Sequence, residues 1–308
     1  MIVTVTPNPS IDRTVRLDRL VVGGLNRAHN ATSEAAGKGI NVSYALATEG
    51  IDTIAVLPLP SQTAVQYLGL LADAVPVAAV PIAGAMRVNV SIIESDGTVT
   101  KVNEPGPPLS AADAEAILNA AASAARDGWI VGCGSLPPGA PRDFYARLAR
   151  LATRDRRVAV DASGDALATA VTAGIGLVKP NRQELEELMR RPLATLGAVL
   201  DAARALVAQG CGAALVSLGS DGALFVDAAS ASHAEARIAD AANTVGAGDA
   251  LLAGFLAAGA RAEALPVAVA WAVAAVRSPG TRMRPVTEAD RAAVIVNEPL
   301  DLSRRLVA

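Results

Sequence analysis

Two kinds of hydrophobic spacing alternate along this chain. Short unbroken apolar runs recur at IVTVT (2–6), DTIAVLP (52–58), WIVGCG (129–134), RVAVDAS (157–163), GLVKPN (176–181) and AALVSLG (213–219). Between them lie Ala-, Leu- and Arg-rich segments with helical periodicity, at 111–125, 142–154, 165–173, 182–190 and 197–209. A run that is apolar at every position suits a strand covered on both faces, whereas a 3.6-residue period suits a helix with one buried stripe. Their alternation predicts an α/β fold, a doubly wound and mostly parallel sheet flanked by helices.

Two regions break that rhythm. Residues 12–30 and 86–103 alternate apolar and polar positions, and Asp96-Gly97 supplies a hairpin turn. They predict antiparallel strands outside the main sheet, a small β lid inserted into one domain spanning 1–308. From residue 246 onward the chain reads as mostly helical, with Trp271 in the core on a helix over 264–277.

Composition narrows the function. The chain is 52% hydrophobic and 19% charged, which marks a folded, core-rich protein rather than a disordered one. Its net charge is −3 and no Lys/Arg block occurs, so neither nucleic acid nor an anionic membrane is an expected partner. Any phosphate must be held by local donors. Cys133 and Cys211 give neither a disulfide framework nor metal-ligand spacing, and Cys133 reads as a buried apolar residue. The N-terminus lacks the basic and apolar regions of a signal peptide, and stretches such as 251–259 are too short to span a bilayer, so a cytoplasmic location is expected.

In an open α/β sheet, ligands bind beyond the carboxyl ends of the strands. Polar residues gather there: Asn8, Ser10 and Asp12, then Gly134-Ser135, Asp161, Ser163-Gly164, Lys179-Pro180-Asn181 and Ser217-Leu218-Gly219. In AANTVGAGDALLAGFLAAG (241–259), Gly246, Ala247 and Gly248 open a helix and leave its N–H groups accessible to an anion. Asp249 follows at once. Read locally, it is either an acid that suits the helix dipole or a base set beside an anion cradle. AAGKGINV (35–42) is either a simple loop-to-helix turn or a backbone that hugs a sugar, with Lys38 and Asn41 as polar contacts. In KPNRQEL (179–185), Asn181 and Glu184 have the spacing of a capping box. Arg27 and Arg87 fall in the lid segments, as phosphate grips or as exposed strand arginines. Neither a Walker A loop nor a G-x-G-x-x-G after the first strand is present, and His29 and His233 have no partner pattern that would make them catalytic.

These segments together resemble the ribokinase-like (PfkB) family of sugar kinases, on its 1-phosphofructokinase and tagatose-6-phosphate kinase branch. The matching stretches are TPNPSID (6–12), AAGKGINV, NEPGPPLS (103–110), GCGSLPPG (132–139), KPNRQEL, SLGSDGA (217–223), NTVGAGDA (243–250) and SPGTRM (278–283), in family order over nearly the whole chain. The resemblance implies an ATP- and Mg²⁺-dependent phosphotransferase, with fructose 1-phosphate as first acceptor and tagatose 6-phosphate or fructose 6-phosphate as alternatives. It implies Asp249 as catalytic base and the backbone of Gly246, Ala247 and Gly248 as anion hole. Asp12, Arg27, Gly37, Lys38, Asn41, Arg87, Asn89 and Ser135 would meet the sugar phosphate. Lys179, Asn181, Ser217, Gly219, Ser220, Gly222, Asn243 and Thr244 would meet the nucleotide, and Glu184 would organise Mg²⁺. A monovalent cation and a homodimer formed through the lid are compatible with it. The chain departs from its relatives at LPLPSQTAVQYL (57–68), where they carry a Gly-Gly pair, and at Ser91, where many carry Lys. A sugar-phosphate or nucleotide sensor that has lost turnover is the alternative of another class.

Overall fold

A computed structural model of the chain describes residues 1–307 except 73, 239, 240 and 242. The chain runs β1 (Ile2–Val5), β2 (Ser10–Leu17), β3 (Asn30–Ala36), α1 (Lys38–Thr48), β4 (Thr53–Pro60), α2 (Ala64–Leu71), β5 (Val77–Ile82), β6 (Arg87–Glu94) and β7 (Val99–Asn103). It continues through α3 (Ala111–Ala124), β8 (Gly128–Cys133), α4 (Phe144–Ala149), β9 (Arg156–Asp161), α5 (Gly164–Thr172), β10 (Leu177–Val178), α6 (Arg182–Met189), α7 (Leu196–Ala208) and β11 (Ala213–Ser217). The last elements are β12 (Ala223–Asp227), β13 (Ala231–Ala236), α8 (Ala247–Ala257), α9 (Leu265–Val276), α10 (Glu288–Ala292) and β14 (Val294–Val296).

The main sheet has 10 strands in the order β14-β13-β12-β11-β10-β9-β8-β1-β4-β5. From β11 to β5 every neighbouring pair is parallel, and β12, β13 and β14 extend the other edge antiparallel. One face is covered by α3 to α7, whose Ile117, Phe144, Leu167, Leu185 and Val199 are fully buried against the strands. The opposite face is covered by α1, α8 and α9, with Trp271 in the core as its sequence position implies. Successive connections leave β1 toward β4 on one side and return to β8 on the other. The crevice at their carboxyl ends is therefore the switch point where such sheets bind ligands.

All the expected strands form, although β10 is cut to two residues because Pro180 cannot donate to a ladder. The helix expected over 142–154 stops at Ala149, where tighter i→i+3 bonds (Leu151 N to Leu148 O, Ala152 N to Ala149 O) turn the chain toward β9. Not every residue after 246 outside the helices is irregular, because β14 pairs with β13.

The lid is a separate 4-stranded sheet in the order β3-β2-β6-β7. Its two hairpin pairs are antiparallel, as expected, but its central pair is parallel, in register from Ser10 opposite Arg87 to Leu17 opposite Glu94. The first lid segment also differs from the expected 12–30. Its strands occupy 10–17 and 30–36, and 18–29 is a connector containing Gly23 and Gly24.

Candidate active site

The N-terminus of α8 lies where the two sheets meet. Gly246 caps the helix at φ 81, a left-handed conformation, and a Cβ there would stand 3.1 Å from the Thr281 carbonyl. Only glycine adopts this turn without strain. The preceding loop is held by Asn243, whose amide donates to the Gly280 carbonyl (3.2 Å) and accepts from the Val245 N–H (3.0 Å). The helix therefore begins with a fixed backbone and no side chain larger than methyl before Asp249.

Asp249 is 6% exposed. Asn41 of α1 donates its side-chain amide to Asp249 Oδ2 at 2.8 Å. Burial and the nearby Asp161 carboxylate push the Asp249 pKa up to about 6, against the opposing pull of Lys38, Asn41 and Lys179. A carboxylate poised near neutrality can take a proton from a hydroxyl and release it again.

Asp161, at the end of β9, is fully buried and pairs with both site lysines. Lys38 Nζ donates to Asp161 Oδ1 at 2.8 Å, and Lys179 Nζ lies 3.1 Å from Oδ2. Burial would raise the Asp161 pKa, but the two lysines outweigh it and hold the carboxyl below its ordinary value. Burial alone would lower the Lys38 pKa; Asp161 and Glu184 reverse that and hold it above its ordinary value. Lys179 lies directly over the anion cradle, 3.5 Å from where a Cβ on Gly248 would stand. The result is a pair of positive charges held on one buried carboxylate beside a helix N-terminus, Lys179 nearly buried and Lys38 partly open to solvent.

On one side of Gly248 opens a cavity of about 580 Å³. Asn181, Ser217, Gly219, Ser220, Gly222 and Thr244 line it together with Ala247 and Gly248, and Leu251, Val269, Val273 and Val276 form an apolar wall. The lining thus combines polar groups with an apolar wall, as small-molecule sites do. The capping box expected at Asn181 and Glu184 forms, with the Glu184 N–H donating to Asn181 Oδ1 (2.7 Å) and the Asn181 N–H to Glu184 Oε2 (2.8 Å). The other carboxylate oxygen, Oε1, faces Lys38 Nζ at 3.7 Å. Among the described residues no cluster of three His, Cys, Asp or Glu closes around a metal. Glu184 follows the cavity-lining Asn181, Arg182 and Gln183, and a single carboxylate of this kind is compatible with Mg²⁺, which keeps several waters.

On the other side lies the polar face of the lid. Asp12 Oδ1 accepts from Ser10 Oγ (2.8 Å) on its own strand and from Asn89 Nδ2 (3.0 Å) across the central parallel pair. Arg87 donates to the Asn8 carbonyl (2.8 Å) and the Pro9 carbonyl (3.3 Å), and Asn8 in turn donates to Ser135 Oγ (3.2 Å). Gly37 caps α1 against Thr6 and Pro9. Burial lowers the Arg87 pKa from its usual value, with Asp12 opposing. Arg27 is not brought in: it stands exposed on the 18–29 connector, with no hydrogen bond or ion pair to the described residues.

A family profile describing pfkB carbohydrate kinases matches residues 5–288. This chain belongs to the pfkB family. It is 37% identical over 299 residues to the 1-phosphofructokinase of Haloferax volcanii, covering 92% of this chain and 93% of that one. It is 38% identical to the 1-phosphofructokinase of Xanthomonas campestris over 83% of each chain. Among solved structures, phosphofructokinase-2 from Escherichia coli in complex with potassium superposes with a TM-score of 0.86 at 31% identity, over 94% of this chain and 96% of that one. Ribokinase from Thermotoga maritima shares the fold at a TM-score of 0.76 and 19% identity. The protein is thus a carbohydrate kinase, a phosphotransferase acting on a sugar hydroxyl, and ATP with Mg²⁺ is typical of its family. No helix among the described residues is long and apolar enough to cross a membrane.

In this pfkB kinase the residue that motif reading left without a role is Asp161. It was visible only as one of several polar strand ends. Its partners lie 123 and 18 positions away, so no local spacing marks them.

Proposed function

We propose that this kinase transfers the γ-phosphoryl group of ATP to a hydroxyl of a phosphorylated ketohexose, with fructose 1-phosphate as the acceptor and fructose 1,6-bisphosphate as the product. One observation carries the reading: a buried carboxylate with its pKa pushed up to about 6 stands at a helix N-terminus between a cavity of mixed polar and apolar lining and a polar lid face. Asp12, Asn89, Gly37 and Asn41 orient the sugar, and Arg87 and Ser135 lie toward its phosphate end. Asp249 accepts the proton of the attacking hydroxyl. The N–H groups of Ala247 and Gly248, with Lys38 and Lys179, stabilise charge on the phosphoryl oxygens in the transition state. Mg²⁺, held toward Glu184, would neutralise phosphate charge. Lys179, Ser217, Gly219, Ser220, Gly222, Asn243 and Thr244 form the nucleotide side.

The acceptor is supported by the names of the curated relatives. The runner-up is fructose 6-phosphate, which is bound in another structure of the Escherichia coli phosphofructokinase-2 (TM-score 0.83). ADP release is to be measured with Mg²⁺-ATP against fructose 1-phosphate, fructose 6-phosphate and tagatose 6-phosphate. Highest kcat/KM on fructose 1-phosphate supports the proposal, and a higher value on either competitor moves the substrate while keeping the chemistry. Silence on all three from folded protein contradicts it and favours a sensor. Repeating the assay with and without K⁺ tests the monovalent cation.

The lid leaves Val22 92% exposed and Leu25 76% exposed, with Val21, Val99 and Val102 also open to solvent. We infer a homodimer that covers these side chains and the unpaired lid edges. Light scattering that gives a monomer mass at assay concentration would rule it out.

A further inference from the structure

The turn at 219–222 is anchored from behind by a segment remote in sequence. Gly219, Ser220 and Gly222 line the large cavity, whereas Asp221 between them points away and is 3% exposed. Its Oδ1 accepts from Arg304 Nη2 (2.9 Å), its Oδ2 from the Val307 N–H (2.7 Å), and its backbone carbonyl is bonded to His233 Nε2 (2.8 Å). Arg304 also pairs with Glu235 of β13. The turn closes on itself through the Leu218 N–H to the Gly222 carbonyl (2.8 Å) and the Gly222 N–H to the Gly219 carbonyl (3.1 Å), and the contacts of Asp221 fix where that closed turn sits. Gly222 sits at φ 83, and a Cβ there would stand 2.1 Å from the Ala234 carbonyl, so the backbone is pressed against β13 in a conformation other residues avoid.

The segment supplying Arg304 is laid down as a strap. Leu196 N–H donates to the Arg304 carbonyl, Gly197 N–H to the Leu302 carbonyl and Leu306 N–H to the Ala194 carbonyl, each at 3.0 Å. Its far end reaches the cavity rim, where Val307 is part of the lining and its carbonyl accepts from Arg182 at 2.8 Å. One strap therefore braces the floor of the cavity and borders its mouth.

The structure assigns Arg304 as a positioning residue for nucleotide binding: with Asp221 it holds the 219–222 turn in its binding geometry. This rests on reading the cavity as the ATP site. Backbone donors bind phosphate or ribose well only when their orientation is fixed beforehand. Releasing the Arg304 brace leaves Asp221 buried with one partner fewer and lets the turn sample other conformations, at the expense of affinity. No step of the phosphoryl transfer passes through Arg304.

The test is the separation of KM from kcat. Arg304→Ala is expected to raise the KM for Mg²⁺-ATP by about tenfold, the consequence of losing one charged hydrogen bond, with kcat and the KM for sugar phosphate within about twofold of wild type. Arg304→Lys, which keeps the charge but loses the planar fork, is expected to fall between the two. A variant with lower melting temperature but wild-type KM for Mg²⁺-ATP would overturn the assignment and leave Arg304 a structural brace. Should Arg304→Ala not fold, Arg304→Lys carries the same decision: a raised KM supports the assignment and an unchanged one overturns it. Wild-type protein that binds no Mg²⁺-ATP in calorimetry would instead sink the reading of the cavity, and the inference with it.

Discussion

Asp249 and Asp290 are both buried acids in the first turn of a helix, yet the fold treats them in opposite ways. Asp290 is fully buried and receives Arg284, Arg277, the Thr287 N–H and the Thr287 hydroxyl, all at 2.7–2.9 Å. Burial would raise its pKa, but those donors outweigh it and hold the carboxyl far below the usual range. Asp249 receives one side-chain amide, from Asn41, and faces a second carboxylate whose lysines are already engaged. Burial therefore does not decide the state of an acid; the donors placed around it do. One site is built to keep its charge and so hold the chain together. The other is left short of donors, which makes it reactive.

The largest expected effect lies at the reactive site. Asp249→Asn removes the base while keeping shape and the Asn41 contact, and turnover should fall by about 10²–10⁴-fold. Near-wild-type turnover from that variant would end the account of Asp249 as base. At the other acid the loss should appear in stability. Asp290→Ala removes the acceptor shared by Arg277, Arg284 and the Thr287 cap and should cost roughly 3 kcal/mol in denaturant unfolding, the low end for a broken buried pair because Arg277 and Arg284 keep 20% and 35% of their surface in water. Its effect on the sugar-phosphate KM should be small.

A third expectation reverses the sign. The folded-state pKa of Asp249 lies above its unfolded value, so the native state favours the protonated form and loses stability as pH rises toward and through about 6. Asp249→Asn escapes that loss. It should be more stable than wild type by about 1–3 kcal/mol above pH 7, with the advantage vanishing below about pH 4. A variant that is inactive and more stable is the signature of a strained functional group. Equal stability at pH 7.5 would argue that Asp249 is solvated as well as Asp290 is paired.

How far the sequence showed this contrast depends on how local its causes are. The parallel strands were readable because each is a contiguous apolar run, and the α8 entry because Gly246 to Asp249 are adjacent. ASHAEA (231–236) carries neither an unbroken apolar run nor strict alternation, yet it is held extended by ladders to β12 and β14. The parallel β2–β6 pair joins residues more than seventy positions apart, so alternation could mark both strands but not their direction. Arg27 lies on the 18–29 connector between β2 and β3, which alternation did not separate from the strands. Asp161 carries no motif, and its importance comes from lysines delivered by α1 and by the chain after β10. Asp290 was likewise invisible as an anchor, because Arg277 reaches it from the end of α9.

The most direct measurement is the titration of Asp249 in the ligand-free protein, by ¹³C NMR of labelled aspartate carboxyls with Asp249→Asn to assign the resonance. Working without substrate keeps the phosphate ionisations of ATP and sugar phosphate out of the curve. The account predicts a midpoint near pH 6, well above that of Asp290. A midpoint near 4 would show a carboxylate stabilised like any surface acid, and would contradict the claim that this site is kept short of donors.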